Sequence, residues 1–412
     1  MALVYFAPVA WDSYPQRPHY FVRHFLKRGG RVAWIDPYPT RLPTTRDLRN
    51  AVMGRRIAVE RPANLTVVGL RALPLEPLAV GRWLNRRLLW NALARRLRAF
   101  VSDGAVVVGI GRPSDLALAA LGALRPVRSF FDAMDDFPQF YRGVSKGSVS
   151  ACEREIALKV DVVMTSSSAL WTKFEPLGSR RIMLHNAFEM SALPPLPIAR
   201  NGHVVFGYVG CIGAWFDWST VVGLAEAFRD AAVHIVGPCF AKAPRRLPSN
   251  IRMFPACSLG GAIEHFQSFS VGLIPFERTP LTEGVDPIKY YGYRGMGLPV
   301  LSTTFGEMAR RGVDEGVFLI DQRGGFVRLP APRSRRGPSP APLRRSGANT
   351  RGSGASTPRG CSDECRRNAT TASPRLRIRL ASAIMVGTGP TVRYLHPVAW
   401  MGVFVVVLLD LG

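Results

Sequence analysis

Between residues 282 and 303 the sequence TEGVDPIKYYGYRGMGLPVLST places Lys289 just after Pro287 and ahead of Gly295 and Gly297. A proline suits the first turn of a helix, where its missing N–H costs nothing, and the glycines suit its end. The apolar runs Val271 to Phe276 and Leu298 to Ser302 on either side predict buried parallel strands. A helix start beside a lysine at the carboxyl end of such a sheet is a site for an anion, most simply a diphosphate. Upstream, Gly210 and Gly213 follow another apolar strand, and glycines there let backbone come close to a ligand. Together, Lys289, Gly210, Gly213 and the helix start can hold a leaving diphosphate without a metal.

A second group could act on a substrate hydroxyl. Asp132-Ala-Met-Asp135-Asp136 follows a predicted strand from Arg128 to Ala133, and carboxylates just past a parallel strand project into the mouth of the sheet. Asp135 or Asp136 could take or orient a hydroxyl proton, or could cap the next helix or pair with an arginine. His185 ends a strand beginning at Arg181 and could reach the same mouth or serve the fold. No acidic pair suited to Mg²⁺ stands in the second half, so no metal is expected.

The hydrophobic pattern supplies two sets of elements to hold these groups. Leu3 to Ala7, a helix from Arg17 to Lys27 ended by Gly29-Gly30, and Val32 to Asp36 give strand, helix and strand in about 35 residues, a right-handed parallel unit. Ala105 to Ile110, Arg128 to Ala133, Asp161 to Thr165 and the run from Arg181 add strands, with a helix near Glu153 to Val160 and another capped by Ser166 to Ser168. A second series opens at Val204 and continues through a helix from Asp217 to Arg229, strands at Val233 to Gly237 and Ile251 to Phe254, a helix through Ile263 to Phe269, and Val317 to Ile320. Repeated prolines in Ser191-Ala-Leu-Pro-Pro-Leu-Pro197 mark a linker. The expected organisation is α/β: two Rossmann-like doubly wound domains, 1–190 and 203–322, joined by a linker at 191–202 and facing across a cleft. No Gly-x-Gly-x-x-Gly follows the first strand, which disfavours a Rossmann dehydrogenase.

At 412 residues, 47% apolar and 20% charged, the chain can fill two cores. Of the net charge of +25, the stretch from Arg323 onward carries +12, with fifteen arginines, three acidic residues and no lysine. The remaining +13 favours phosphates or an anionic membrane face; nothing points to a specific nucleic acid. Residues 323–412, rich in Arg, Pro, Ser and Gly without a period, are expected to be a disordered basic tail. A shifted reading frame in a GC-rich gene would explain it, and a polyanion-binding tail is the alternative. Six cysteines, at 152, 211, 239, 257, 361 and 365, lack paired metal spacing and suit free thiols in a reducing cytoplasm. No signal peptide is expected, and the apolar run from Ala399 to Leu409 falls short of the roughly 20 residues a membrane span needs. Gly81 to Val101 predicts a basic amphipathic helix with Trp83, Trp90, Leu93, Leu97 and Phe100 on one side. That side would dock on the domain's own sheet, or on an anionic membrane surface at the inner face of the plasma membrane.

The run Asp286-Pro-Ile-Lys289-Tyr-Tyr-Gly-Tyr293, ending in Gly297-Leu-Pro-Val300, resembles the donor-binding segment of GT-B nucleotide-sugar glycosyltransferases. The resemblance implies that Asp286, Lys289, Tyr290 and Gly292 lie at the donor's ribose and diphosphate. The position of Gly292 is usually a glutamate on the ribose. Gly207-Tyr-Val-Gly210 with Trp215-Phe-Asp-Trp218 is similar to the family's facing loop, and Gly237-Pro238 would then lie near the base. Gln16-Arg-Pro-His19, Trp34-Ile-Asp-Pro-Tyr38 and the Asp-x-x-Asp-Asp string resemble a bacterial subgroup containing teichuronic-acid and exopolysaccharide transferases. The resemblance covers about residues 1 to 320. It implies a donor nucleotide-diphosphate sugar, a surface glycan or lipid-linked acceptor, and a retaining outcome. An inactive or weakly active homologue and a two-domain sugar-nucleotide epimerase share the same fold and diphosphate site.

Overall fold

The computed structural model describes residues 1–320 apart from 14, 43–60, 71, 102–103, 189–192 and 194–202. The expected linker, except Leu193, and the expected basic tail lie outside the described residues.

Among the described residues, short apolar runs make thirteen strands, all paired in parallel, in two sheets. The first sheet holds β1 (Ala2–Phe6), β2 (Arg31–Ile35), β3 (Leu65–Val68), β4 (Val106–Ile110), β5 (Arg128–Ala133), β6 (Val162–Thr165) and β7 (Arg181–Met183), in the order β3-β2-β1-β4-β5-β6-β7. Leu3 and Tyr5 of β1 enter one core with Trp11 and Trp34, while Val4 and Phe6 enter the other with Val108 and Phe131. Both faces are covered, so the strand reads as an unbroken apolar run rather than an alternation. Strand order reverses between β1 and β4, and a crevice at the carboxyl ends follows from that reversal.

The second sheet repeats the plan. Its strands β8 (Val205–Val209), β9 (Ala232–Val236), β10 (Ile251–Phe254), β11 (Val271–Ile274), β12 (Val300–Thr303) and β13 (Val317–Ile320) run in the order β10-β9-β8-β11-β12-β13, reversing between β8 and β11. At that reversal Gly207 and Gly272 are register partners. A Cβ on Gly207 would lie 2.2 Å from the Phe269 ring, and one on Gly272 would lie 2.4 Å from Tyr293. Two bare backbones therefore let aromatic rings sit directly on the sheet, which fixes the height of the helix carrying Tyr293.

Of the helices, α1 (Arg17–Lys27) matches its sequence expectation, with its first turn marked by Pro18. The amphipathic segment is not one regular helix. It runs as α2 (Ala79–Asn85), a π-turn (Arg86–Trp90) and α3 (Asn91–Val101). The π-turn takes one extra residue per turn, so everything upstream is rotated by about 100° relative to an unbroken helix. Leu93 and Leu97 are buried as expected, but Trp83 faces solvent. Further along come α4 (Asp115–Leu124), α5 (Gly143–Lys159) and α6 (Ser168–Phe174), whose N-cap Ser167 Oγ accepts from Leu170 N. The second sheet is flanked by α7 (Trp218–Ala227), capped by Asp217, α8 (Leu259–Ser268), the single turn α9 (Pro280–Glu283), and α10 (Ile288–Gly295). Pro287 stands at the N-cap of α10, one residue before the position expected from sequence. Among the described residues no helix is long and apolar enough to cross a membrane.

Candidate functional site

In the second sheet the site begins with Tyr293. Its hydroxyl accepts from Val209 N at 3.1 Å, tying α10 to the carboxyl end of β8. Lys289, one turn earlier on the same side of α10, is thereby carried onto the loop after β8. Its ammonium lies 5.2 Å from the Tyr208 ring centre and 5.4 Å from that of Phe276. No hydrogen bond or ion pair engages that ammonium among the described residues. Burial pushes its pKa down to about 8, with the neighbouring Cys211 pulling the other way. A half-buried cation without a carboxylate partner is costly unless an anion completes it.

The glycine turns fit around this amine. Gly210 has φ +146°, and a Cβ there would lie 2.4 Å from Lys289 Cε. Gly237 has φ +135°, and its Cβ would lie 2.2 Å from the Gly210 carbonyl oxygen. Ile212 N donates to Pro238 O at 2.9 Å, which draws the two turns together. Gly213 makes room for the Trp215 ring, 2.6 Å from where its Cβ would be. The start of α10 has no side-chain cap, so its N–H groups add positive potential beside Lys289.

Asp286, Tyr290 and Gly292 face elsewhere. The Asp286 carboxylate is fully buried, with Arg311 Nη2 donating to Oδ1 at 2.7 Å, and with Asn186 N and Tyr291 Oη donating to Oδ2 at 2.7 and 2.9 Å. Tyr290 stacks on the Arg311 guanidinium, 4.0 Å from the ring centre. A Cβ on Gly292 would lie 3.1 Å from Phe188 and 3.3 Å from Phe266, so the direction in which a glutamate would leave α10 is filled by two aromatic rings.

In the first sheet Asp132, Asp135 and Asp136 stand at the end of β5, as their spacing predicts, and take three different states. Asp132 is paired with Arg17 Nη2 at 2.9 Å and accepts from Tyr5 Oη at 3.3 Å. Asp136 accepts from Lys173 Nζ at 2.7 Å, and the same lysine also bridges to the buried Glu153. That pairing holds the Asp136 carboxylate against an ammonium it shares with Glu153. Asp135 has no hydrogen-bond partner for its carboxylate among the described residues. Burial pushes its pKa up to about 7; Arg17 lowers it, while Asp132 and Asp136 raise it. His185 Nδ1 lies 2.9 Å from Ser166 O, and because a carbonyl only accepts, that nitrogen carries a hydrogen.

Direct contacts join the two sets. Asn186 reaches Asp286 through both N and Nδ2, Ser167 Oγ donates to Gly284 O at 2.8 Å, and Ser168 N donates to Glu307 Oε1. His185 Nδ1 is 3.8 Å from Asp286 Oδ2, three residues before Lys289. Sequence reading did not single out Arg17, Lys173, Asn186 or Arg311 for this network. Arg17 carried a signal, standing in a string that resembles the bacterial subgroup.

Two doubly wound parallel sheets, each with its crevice at the carboxyl ends and both in contact through the 279–286 segment, define the GT-B fold. No family model matches the chain, and no curated protein sequence matches it. Among solved structures the chain is similar to sucrose-phosphate synthase from Thermosynechococcus elongatus, at TM-score 0.54 and 12% identity over 78% of this chain and 86% of that one. It is similar to a trehalose-6-phosphate protein from E. coli bound with UDP-2-fluoro glucose, at TM-score 0.52 and 12% identity over 77% and 87%. It is also similar to HepE from Anabaena in complex with UDP-glucose, at TM-score 0.50 and 12% identity over 78% and 85%.

Proposed function

We propose that the protein transfers a sugar from a nucleotide-diphosphate donor to a hydroxyl of a surface glycan or lipid-linked acceptor. The observation that carries this reading is the Lys289 ammonium, half-buried at the carboxyl end of β8, without an acidic partner among the described residues, and pressed against Gly210. When the bond from the sugar's anomeric carbon to the phosphate oxygen breaks, negative charge grows on the leaving diphosphate. Lys289 and the uncapped start of α10 meet that charge, so the diphosphate needs no metal for neutralisation. A new bond forms from the anomeric carbon to the acceptor oxygen, and the hydroxyl proton passes to Asp135 or to His185 Nε2. UDP is the first nucleotide to try, since two of the similar structures hold UDP-sugars.

A thermal-shift series with UDP, GDP and dTDP tests donor binding, and labelled nucleotide sugars test the reaction. Free nucleotide diphosphate plus labelled glycan means transfer; an interconverted sugar means an epimerase. No stabilisation by any nucleotide diphosphate overturns the reading. A weakly active homologue is the second reading, favoured by Gly292, which offers no carboxylate to the donor and is walled by Phe188 and Phe266.

A further inference from the structure

The segment from α2 to α3 has a solvent face that the fold does not use. Val80, Trp83 and Leu88 are 67%, 58% and 62% exposed, and Leu73 and Leu78 just upstream are exposed as well. An unbroken helix would have put Trp83 in line with Leu93 and Leu97; the π-turn at Arg86–Trp90 turns it outward instead. Val144 at the start of α5, also exposed, lines the same hollow as Pro77 and Arg82 and extends the apolar area. The helical segment itself carries charge of one sign. From Ala79 to Val101 the sequence holds six arginines and no acid. Arg86 is bound to Asp115 through Nε and Nη2, both at 2.6 Å, but Arg82, Arg87, Arg95, Arg96 and Arg98 have no acidic partner among the described residues. Arg87 stacks on Trp83, 5.8 Å from its ring centre, so cation and ring present together. Three acids line the hollow: Asp115 is paired with Arg86, Glu155 with Lys159, and Glu76 is buried and accepts from Asp115 N.

We infer that this face docks on an anionic lipid bilayer, with Val80, Trp83 and Leu88 entering the headgroup boundary and Arg95, Arg96 and Arg98 contacting lipid phosphates. Exposed tryptophan beside arginine is the composition an interfacial segment needs, and an acidic protein partner would leave the apolar half uncovered. The inference does not depend on the donor reading, because vesicle binding is measured without nucleotide.

The test is flotation of the full chain with vesicles of phosphatidylglycerol and phosphatidylcholine, against phosphatidylcholine alone. Binding to the anionic vesicles, weakened by salt and absent from neutral ones, is expected. Trp83→Ser should weaken it about tenfold through the lost interfacial anchor, and the triple variant Arg95→Glu, Arg96→Glu, Arg98→Glu about a hundredfold. These are surface positions, and unchanged thermal melting confirms the fold of each variant. Equal vesicle binding by parent and both variants would assign membrane contact to the arginine-rich 323–412 stretch and overturn the inference. Loss of heparin binding in the triple variant, with vesicle binding by Trp83→Ser unchanged, would make this a polyanion face and overturn it as well. Self-association relieved by Trp83→Ser, without vesicle binding by the parent, would assign the face to a second copy and also overturn it.

Discussion

The mouths of the two sheets carry opposite charge and handle it differently. In the first, three acids gather at the end of β5: Asp132 is paired with Arg17, Asp136 shares Lys173 with Glu153, and Asp135 has no ion pair among the described residues. In the second, a single cation stands after β8 with aromatic rings and glycines around it and no acid in contact. The difference shows which groups each sheet holds ready. Asp135 and Lys289 are two groups without an ion pair among the described residues, and burial has moved both towards neutrality. In the proposed transfer Asp135 is the proton acceptor and Lys289 the anion receptor.

The comparison breaks most severely if the link between the halves is cut. Asp286→Ala leaves the buried Arg311 without its carboxylate and frees Asn186, and should lower stability by about 3 kcal/mol, read as a lower urea midpoint. Lys289→Ala should weaken UDP binding about a hundredfold by calorimetry, while Asp135→Asn leaves that affinity unchanged. Equal losses from both variants would mean that the division of labour between the sheets is wrong. Gly210→Ala would set a Cβ 2.4 Å from Lys289 Cε, and the displaced amine should cut donor affinity about tenfold.

Titration sharpens the same contrast. Asp135 is protonated below about 7, so a rate that uses its carboxylate should rise with pH through that value, and Asp135→Asn should abolish the rising limb. Its folded pKa lies above the ordinary 3.8, so its contribution to stability is present at low pH and lost as pH rises through about 7. Lys289 runs the other way. Its folded value of about 8 lies below 10.5, so the free protein should gain stability between those values while UDP affinity falls. Smallest of all, Gly292→Ala should change stability by less than about 1 kcal/mol, since helical propensity gained offsets crowding against Phe188. A much larger loss would show that Phe188 cannot move.

Strands were legible because a strand buried on both faces needs an unbroken apolar run, as in Val106–Ile110, and β5 and β10 carry the expected bounds. Leu65–Val68 and the helix Asp115–Leu124 were not picked out. The first is a four-residue edge strand, and the second is apolar on most sides, with little period to read. The glycines and the lysine that meet after β8 were legible as a local pattern. The partners of Asp286 were not legible, because residues 100 and 25 positions away hold its carboxylate.

Taken alone, the sequence determined the parallel α/β alternation, a glycine loop after the strand ending at Val209, and a lysine near a helix start, because these follow from backbone sterics and local apolar period. Only the tertiary structure decided which charges stay unpaired. Pairing depends on contacts between residues far apart in the chain, such as Arg17 with Asp132, and on one π-turn that aims Trp83 outward. Local spacing carries no information about either.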